Sequence, residues 1–276
     1  MKGPWGAAPH PVVYWTCAAL LFWIFLRWFE RANLYFPSRD LTVHPGSLGF
    51  KYEELNLKTE DGASIFGWYV PASPASPVML VSHGNAGNIS DRLDKLAIFR
   101  GAGASVLFYD YRGYGRSSGS ASEEGTYRDA ESAYRWLTAV KGVPPKRIVL
   151  YGESLGSAVA VELALRREAG GLILESGFTS TEDMARIVFP FLPARWLVRF
   201  RYDSLSKISK VRCPVLVMHS PQDDIVPFEM GRRLFAAAPQ PKIFFEMKGG
   251  HNEGFLDTGP AYGQAIRRFL ESLAAR

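Results

Sequence analysis

The pentapeptide Gly152-Glu153-Ser154-Leu155-Gly156 constrains this chain more than any other stretch. An apolar run, residues 147–151, leads into it, and an alanine-rich segment of helical composition, residues 157–168, leaves it. Strand, tight turn and helix in that order are the setting in which G-x-S-x-G becomes a nucleophile elbow rather than a chance pentapeptide. A serine on so sharp a turn needs an unusual backbone conformation, and the residues two positions away must be small. Gly152 and Gly156 supply that room. Taken alone, the five residues fit a glycine-rich loop with a bystander serine equally well, so the rest of the chain has to decide.

The surrounding pattern predicts an α/β architecture. Apolar runs at 78–81, 105–109, 147–151, 172–174, 214–218 and 243–247 alternate with helical stretches. Those stretches are 89–99 with Ser90 or Asn88 as cap, the region carrying Tyr127, Ala130, Tyr134 and Leu137, residues 227–237, and a terminal amphipathic helix from Tyr262 to Leu273. Short continuous apolar strands between amphipathic helices imply a mostly parallel sheet covered on both faces. Ahead of it, 50–57 and 64–70 flank the turn cluster Thr59-Glu60-Asp61-Gly62 and predict an antiparallel opening hairpin. With 276 residues, 47% of them hydrophobic, the chain suffices for one α/β domain and an addition.

The addition is N-terminal. Residues 12–26 are almost wholly apolar, and residues 12–29 would span roughly 27 Å as a helix, about the thickness of a bilayer core. Tyr14, Trp15, Trp23 and Trp28 are aromatics of the kind enriched at membrane interfaces. A signal-peptide cleavage site is not well placed after Leu26, and Tyr14-Trp15-Thr16 before Cys17 do not suit a lipoprotein leader. An uncleaved single-pass anchor is therefore expected, with residues 1–36 as anchor and connector and 37–276 as the catalytic domain. Lys2 precedes the span, whereas Arg27, Arg31 and Arg39 follow it, which tips the domain toward the cytoplasmic side by the positive-inside rule. The net charge of +5 is spread along the chain rather than gathered into a stripe, which argues against a nucleic-acid partner. Two distant cysteines, Cys17 and Cys213, exclude a disulfide framework and a cysteine zinc site. No metal-binding or cofactor motif is present.

Residues 181–203 interrupt the alternation. They are rich in aromatics, carry four arginines, and are split by Pro190 and Pro193. An ordinary helix packed on the sheet is one reading. A cap over the serine is the other, favoured by the aromatic density, with Phe189, Phe191, Leu192 and Trp196 as candidate substrate contacts.

A serine hydroxyl is a weak nucleophile without a base, and the base needs an orienting acid. Of five histidines, His251 alone follows both the serine and a candidate acid, in a glycine-rich loop between the last strand and the last helix. The acid belongs just after the strand at 214–218, where Asp223 and Asp224 are adjacent. Oxyanion donors are expected from the amide of Leu155, next to the serine, and from the loop His83-Gly84-Asn85, with the Asn85 amide next to the glycine that lets the backbone turn in.

Taken together, His83-Gly84-Asn85-Ala86-Gly87-Asn88, Asp110-Tyr111-Arg112-Gly113-Tyr114-Gly115-Arg116-Ser117, Gly152-Glu153-Ser154-Leu155-Gly156, Asp223 with Val226-Pro227, and His251 make residues 50–276 resemble the α/β-hydrolase superfamily. The chain looks most like the membrane-anchored α/β-hydrolase-domain proteins with an HGNAGN loop, a branch whose relatives include protein depalmitoylases and serine-aminopeptidase-like hydrolases. The resemblance implies Ser154 as nucleophile, Asp223 rather than Asp224 as acid, and His251 as base. Tyr35-Phe36-Pro37 matches a segment that follows the anchor in relatives. Ser220 and Gly177 depart from the common pattern of glycine and proline at those positions. The expected activity is cleavage of carboxylic esters or thioesters, with lipidic acyl groups favoured by the anchor and the apolar cap. A peptidase or amidase, a small-ester esterase, and a non-catalytic scaffold of the same fold are the alternatives.

Overall fold

The computed structural model describes residues 11–191 and 193–275. Eight strands form one sheet: β1 (Glu53–Lys58), β2 (Ser64–Val70), β3 (Val78–Ser82), β4 (Ser105–Tyr109), β5 (Ile148–Glu153), β6 (Gly171–Glu175), β7 (Val215–His219) and β8 (Lys242–Glu246). Their order across the sheet is β8-β7-β6-β5-β3-β4-β2-β1. Strands β3 to β8 run parallel, while β2 pairs antiparallel with both β1 and β4. The antiparallel opening and the parallel body follow the expectation from the hydrophobic pattern.

Alternation along each strand builds two cores. Leu80, Leu107, Leu150, Leu172, Leu174 and Val217 face one way. They meet α3 (Glu123–Arg135), α4 (Leu155–Arg166), α7 (Leu205–Ile208) and α8 (Phe228–Ala237) through buried residues such as Tyr127, Val159, Ile208 and Leu234. Met79, Val81, Val106, Phe108, Tyr151 and Ile173 face the other way, against Leu96 and Phe99 of α2 (Leu93–Gly101) and Tyr262, Ile266 and Phe269 of α10 (Pro260–Ala274). A period of two on the strands and one buried stripe per helix give this layering.

Helix α2 is entered through a 3₁₀ turn, Ile89–Arg92, capped by Asn88. The side chain of Asn88 accepts from the Ser90 amide and that of Asp91 accepts from the Asn88 amide, a reciprocal cap. Helix α3 continues into a π-helical turn, Trp136–Val140. The segment after β6 contains α5 (Thr181–Val188) and α6 (Ala194–Leu197), short because Pro190 and Pro193 stand between them. It returns to its own base, where the Thr181 amide donates to the Arg201 carbonyl at 2.9 Å. A further short helix, α9 (Gly254–Asp257), precedes α10.

Helix α1 (Pro11–Leu34) is 24 residues long, and by length and apolar composition it is able to cross a membrane. Lys2, Trp5 and His10 lie outside the described residues. Behind α1 the chain is tied to the domain at once: Phe36–Pro37 pairs in parallel with Ala86–Gly87.

Candidate functional site

The strand order reverses at β5 and β3: from β5 the chain proceeds to β6, β7 and β8 on one side, and from β3 to β4 on the other. Loops leaving the carboxyl ends of two such strands lie side by side, which is where open α/β sheets place their ligand crevices. Here the two loops are the turn at Ser154 and the segment His83-Gly84-Asn85.

Ser154 has φ 51° and ψ −116°, a left-handed backbone that an L-residue adopts only when its surroundings impose it. The Ser154 amide donates to the Glu175 carbonyl at 2.9 Å, fixing the turn to β6. A Cβ on Gly152 would stand 2.3 Å from the Gly156 carbonyl oxygen, and one on Gly156 would stand 2.0 Å from the Ser82 carbonyl oxygen. Both glycines are therefore required by close backbone approach. Leu155 is the first residue of α4, and first-turn amides have no intrahelical acceptor.

His251 brings Nε2 to 3.0 Å from Ser154 Oγ, and its Nδ1 lies 2.8 and 3.0 Å from the two carboxylate oxygens of Asp223. The Asp223 side chain is shielded from solvent. It accepts from the amides of Ile225 and Val226 and lies 3.3 Å from His219 Nε2. Burial alone would raise the Asp223 pKa, but the bonds to His219 and His251 outweigh it and hold the carboxyl well below the usual carboxylate range. Asp224 does something different: its Oδ1 accepts the His251 amide at 3.0 Å. One aspartate thus contacts the imidazole and the next holds the backbone that carries it. Ser220 Oγ donates to the Gly249 carbonyl at 2.6 Å, stitching the same two loops together.

His83, the other histidine near the turn, is fully buried, with its Nε2 3.6 Å from Asp110 Oδ1. Its Nδ1 lies 2.7 Å from the Gly84 carbonyl oxygen, and burial, with Arg92 nearby, pushes its pKa down to about 3, so the ring is neutral. The loop passes close to the serine: a Cβ on Gly84 would stand 3.7 Å from Ser154 Cβ. A cavity of about 770 Å³ opens there, bordered at its inner end by Gly84, Asn85, Ser154, Leu155 and His251.

Of the cap residues singled out from the sequence, Phe189 borders this cavity. Phe191 and Trp196 are not among its lining residues and stand 98% and 82% exposed. The helical repeat explains Trp196: Ala194 and Leu197, three apart, turn inward and leave Trp196 on the opposite face. Phe191 follows Pro190 in the turn between α5 and α6. Leu192 lies outside the described residues.

Three features escaped the sequence reading. Lys95, fully buried on α2, reaches Glu153 at 2.8 Å and Glu175 at 2.9 Å beneath the serine turn. The hydroxyls of Tyr151 and Tyr262 donate to Glu175 as well. Burial would drive both Lys95 and Glu153 neutral. Their mutual attraction prevails: the ammonium pKa is raised, and the Glu153 carboxyl is lowered to about 2 by Lys95 and Arg92. A lysine on the buried stripe of a helix was the available signal, since it demands a buried carboxylate partner. The second feature is that Asn85 is strapped to the end of α1, its Nδ2 donating to the Leu34 carbonyl at 3.0 Å and its carbonyl accepting from the Phe36 amide at 2.9 Å and the Tyr114 hydroxyl at 2.7 Å. Third, one stripe of α1 borders the cavity. Contacts between segments so far apart leave no local periodicity to read.

Comparison with known proteins agrees with this architecture. Residues 78–208 match the family described as "Alpha/beta hydrolase family". The chain is 34% identical to the human alpha/beta hydrolase domain-containing protein 17B, covering 88% of this chain and 79% of the relative. It is 34% identical to protein bem46 of Schizosaccharomyces pombe, covering 89% and 87%. It is 41% identical to an uncharacterized protein of Mycobacterium tuberculosis, covering 89% and 88%. Among solved structures, the Pyrococcus furiosus esterase Pf2001 superposes with a TM-score of 0.73 over 87% of this chain and 97% of that one, at 20% identity, a likeness of fold. By identity over most of its length and by strand order, this chain belongs to the α/β-hydrolase family.

Proposed function

We propose that the protein is a membrane-anchored serine hydrolase that cleaves carboxylic esters or thioesters carrying lipidic acyl groups. The observation that carries this reading is the continuous hydrogen-bonded line from Ser154 Oγ through the His251 ring to Asp223, opening onto an apolar cavity. In it, Ser154 Oγ attacks the acyl carbonyl carbon while His251 Nε2 takes the hydroxyl proton. Asp223 keeps the Nδ1–H tautomer and balances the imidazolium. The carbonyl electron pair moves onto oxygen, facing the amides of Leu155 and Asn85. Collapse expels the alcohol or thiol, which receives the proton from His251. Water then repeats the sequence on the acyl-enzyme and the free acid leaves.

Helix α1 serves in this reading as a single-pass anchor, with residues 37–276 as the catalytic domain on the cytoplasmic face and 181–203 as its cap. The test is hydrolysis of p-nitrophenyl esters of graded chain length, with labelling by a serine-reactive phosphonate. Ser154→Ala is expected to lose labelling and to retain no more than about a thousandth of wild-type turnover. Turnover in wild type should rise with acyl length. Equal rates in wild type and Ser154→Ala would refute the catalytic assignment, and activity confined to acetyl and butyryl esters would refute the lipidic substrate.

A further inference from the structure

The wall of the cavity opposite the cap is the apolar N-terminal helix itself. Phe22, Phe25, Leu26, Phe29 and Asn33 border the same space as Ser154 and His251. Their spacing of three and four places them on one stripe of α1. From Phe22 to Leu34 that stripe rises roughly 18 Å, from the middle of the apolar span down to the carbonyl that Asn85 grips. Facing it are Val188 and Phe189 of the cap, with the Phe29 and Phe189 rings 6.0 Å apart between centroids.

The helix is held in that place by polar bonds at the end of the span. Glu30 Oε1 accepts the amides of Arg199 and Phe200 at 2.6 and 2.8 Å. Arg27 donates to the Leu197 carbonyl at 2.7 Å and pairs with Glu30 at 3.3 Å. Tyr35 and Tyr202 join hydroxyls at 2.8 Å just below. Cap and helix are thus fastened at the polar end of the span. Leu21, Ile24 and Trp28, on another side of α1, are exposed apolar side chains free to meet lipid.

Resting on the reading of Ser154 as an acyl-transfer nucleophile, we propose that α1 is one wall of the acyl-binding channel. A long-chain acyl ester dissolved in the bilayer enters sideways, between Phe22, Phe25 and Phe29 on one side and Val188 and Phe189 on the other, and slides its carbonyl to Ser154. The occupant follows from the wall chemistry. The channel is apolar along the helix from Phe22 to Phe29, turns polar from Glu30 and Asn33 toward the serine, and is continuous with the face that meets hydrocarbon. An acyl chain travelling this route never crosses water.

The experiment uses the full chain in phosphatidylcholine vesicles and reads the ratio of p-nitrophenyl palmitate to p-nitrophenyl butyrate turnover within each variant, so that any loss of folded protein cancels. Leu26→Trp, which fills the channel, is expected to lower that ratio about tenfold, and the outward Leu21→Trp to leave it at the wild-type value. An unchanged ratio in Leu26→Trp, or equal falls in both variants, overturns the channel. A second readout does not need turnover. In Ser154→Ala, a palmitoyl ester with a diazirine near its methyl end should crosslink to both Phe22 or Phe25 and Val188 or Phe189. Crosslinks confined to Leu21, Ile24 and Trp28 overturn the proposal. Absence of phosphonate labelling and of all ester turnover in wild type would instead remove the hydrolase reading, and the crosslinking would still decide the channel.

Discussion

Ser154 keeps a backbone that costs on the order of 1–3 kcal/mol because its neighbours leave no other course. Its amide is bound to Glu175, and the glycines on either side are in van der Waals range of main chain. The adjacent aspartates divide a second task. In the proposed chemistry, Asp223→Asn should lower kcat by about 10⁴-fold with KM little changed, because the amide favours the wrong imidazole tautomer. Asp224→Ala should cost less, about tenfold to a hundredfold, because it loosens the backbone of His251 without touching the ring. Steady-state kinetics of both variants check this, and equal losses would contradict the division. At this scale the sequence was informative about Ser154 and His251, whose chain order and flanking glycines leave few choices. Telling Asp223 from Asp224 needed resemblance, since adjacent residues of one type differ only in the turn that aims them. Nothing local announces that Ser220 will bridge to Gly249 or that His219 will touch Asp223.

Helix α2 shows why one element can bear on another's geometry. Its Lys95 pairs with Glu153 and Glu175 under the serine turn, and Lys95→Met would leave Glu175 buried without a cation and Glu153 with Arg92 alone. The expected loss is about 3–5 kcal/mol in chemical denaturation, typical of breaking a buried ion pair from one side. The loop after β4 carries a titrating group of opposite tendency. Asp110 is buried and accepts the Ile89 amide at 2.9 Å. Burial, only partly countered by that amide and by Arg92, pushes its carboxyl up to about 7 from an ordinary 3.8. The folded chain therefore binds a proton there that the unfolded chain has released. The stabilisation is complete below the ordinary value and disappears as pH rises through about 7. Asp110→Asn keeps an acceptor for Ile89 and removes the titration, so its melting temperature should decline less than wild type between pH 5 and 8. Thermal melts across that range test it, and parallel curves would contradict it. The elements themselves were largely readable. Strands with β-branched and aromatic runs and helices with one buried stripe carry their own periodicity. Four-residue helices such as α7 and α9, and the pairing of Phe36–Pro37 with Ala86–Gly87, lack the length for any period to show.

At the scale of the whole molecule, residues 27–36 join what the sequence presents as separate parts. Composition separated an apolar leader from an α/β body, and that division was legible because the two differ so sharply in charge. The clamp of Glu30 on Arg199 and Phe200 was not, because its partners lie 169 and 170 positions apart. Glu30→Ala should free the segment 197–200 from α1, and its amides should then exchange hydrogen about tenfold faster or more, while the strands of the sheet remain protected. Unaltered exchange at 199 and 200 would mean that the clamp carries no weight. The strap from Asn85 to Leu34 has a mechanical corollary. A spanning helix adapts to a thicker or thinner bilayer by changing its tilt. An anchor hinged on a loose linker would absorb that tilt privately. Here the helix end is bolted to the loop that, in the proposed chemistry, offers a backbone amide to the oxyanion, so a change of tilt must swing the entire globule like a rudder. In the membrane-anchored reading, lipid thickness thereby sets the angle at which the catalytic opening meets the bilayer surface.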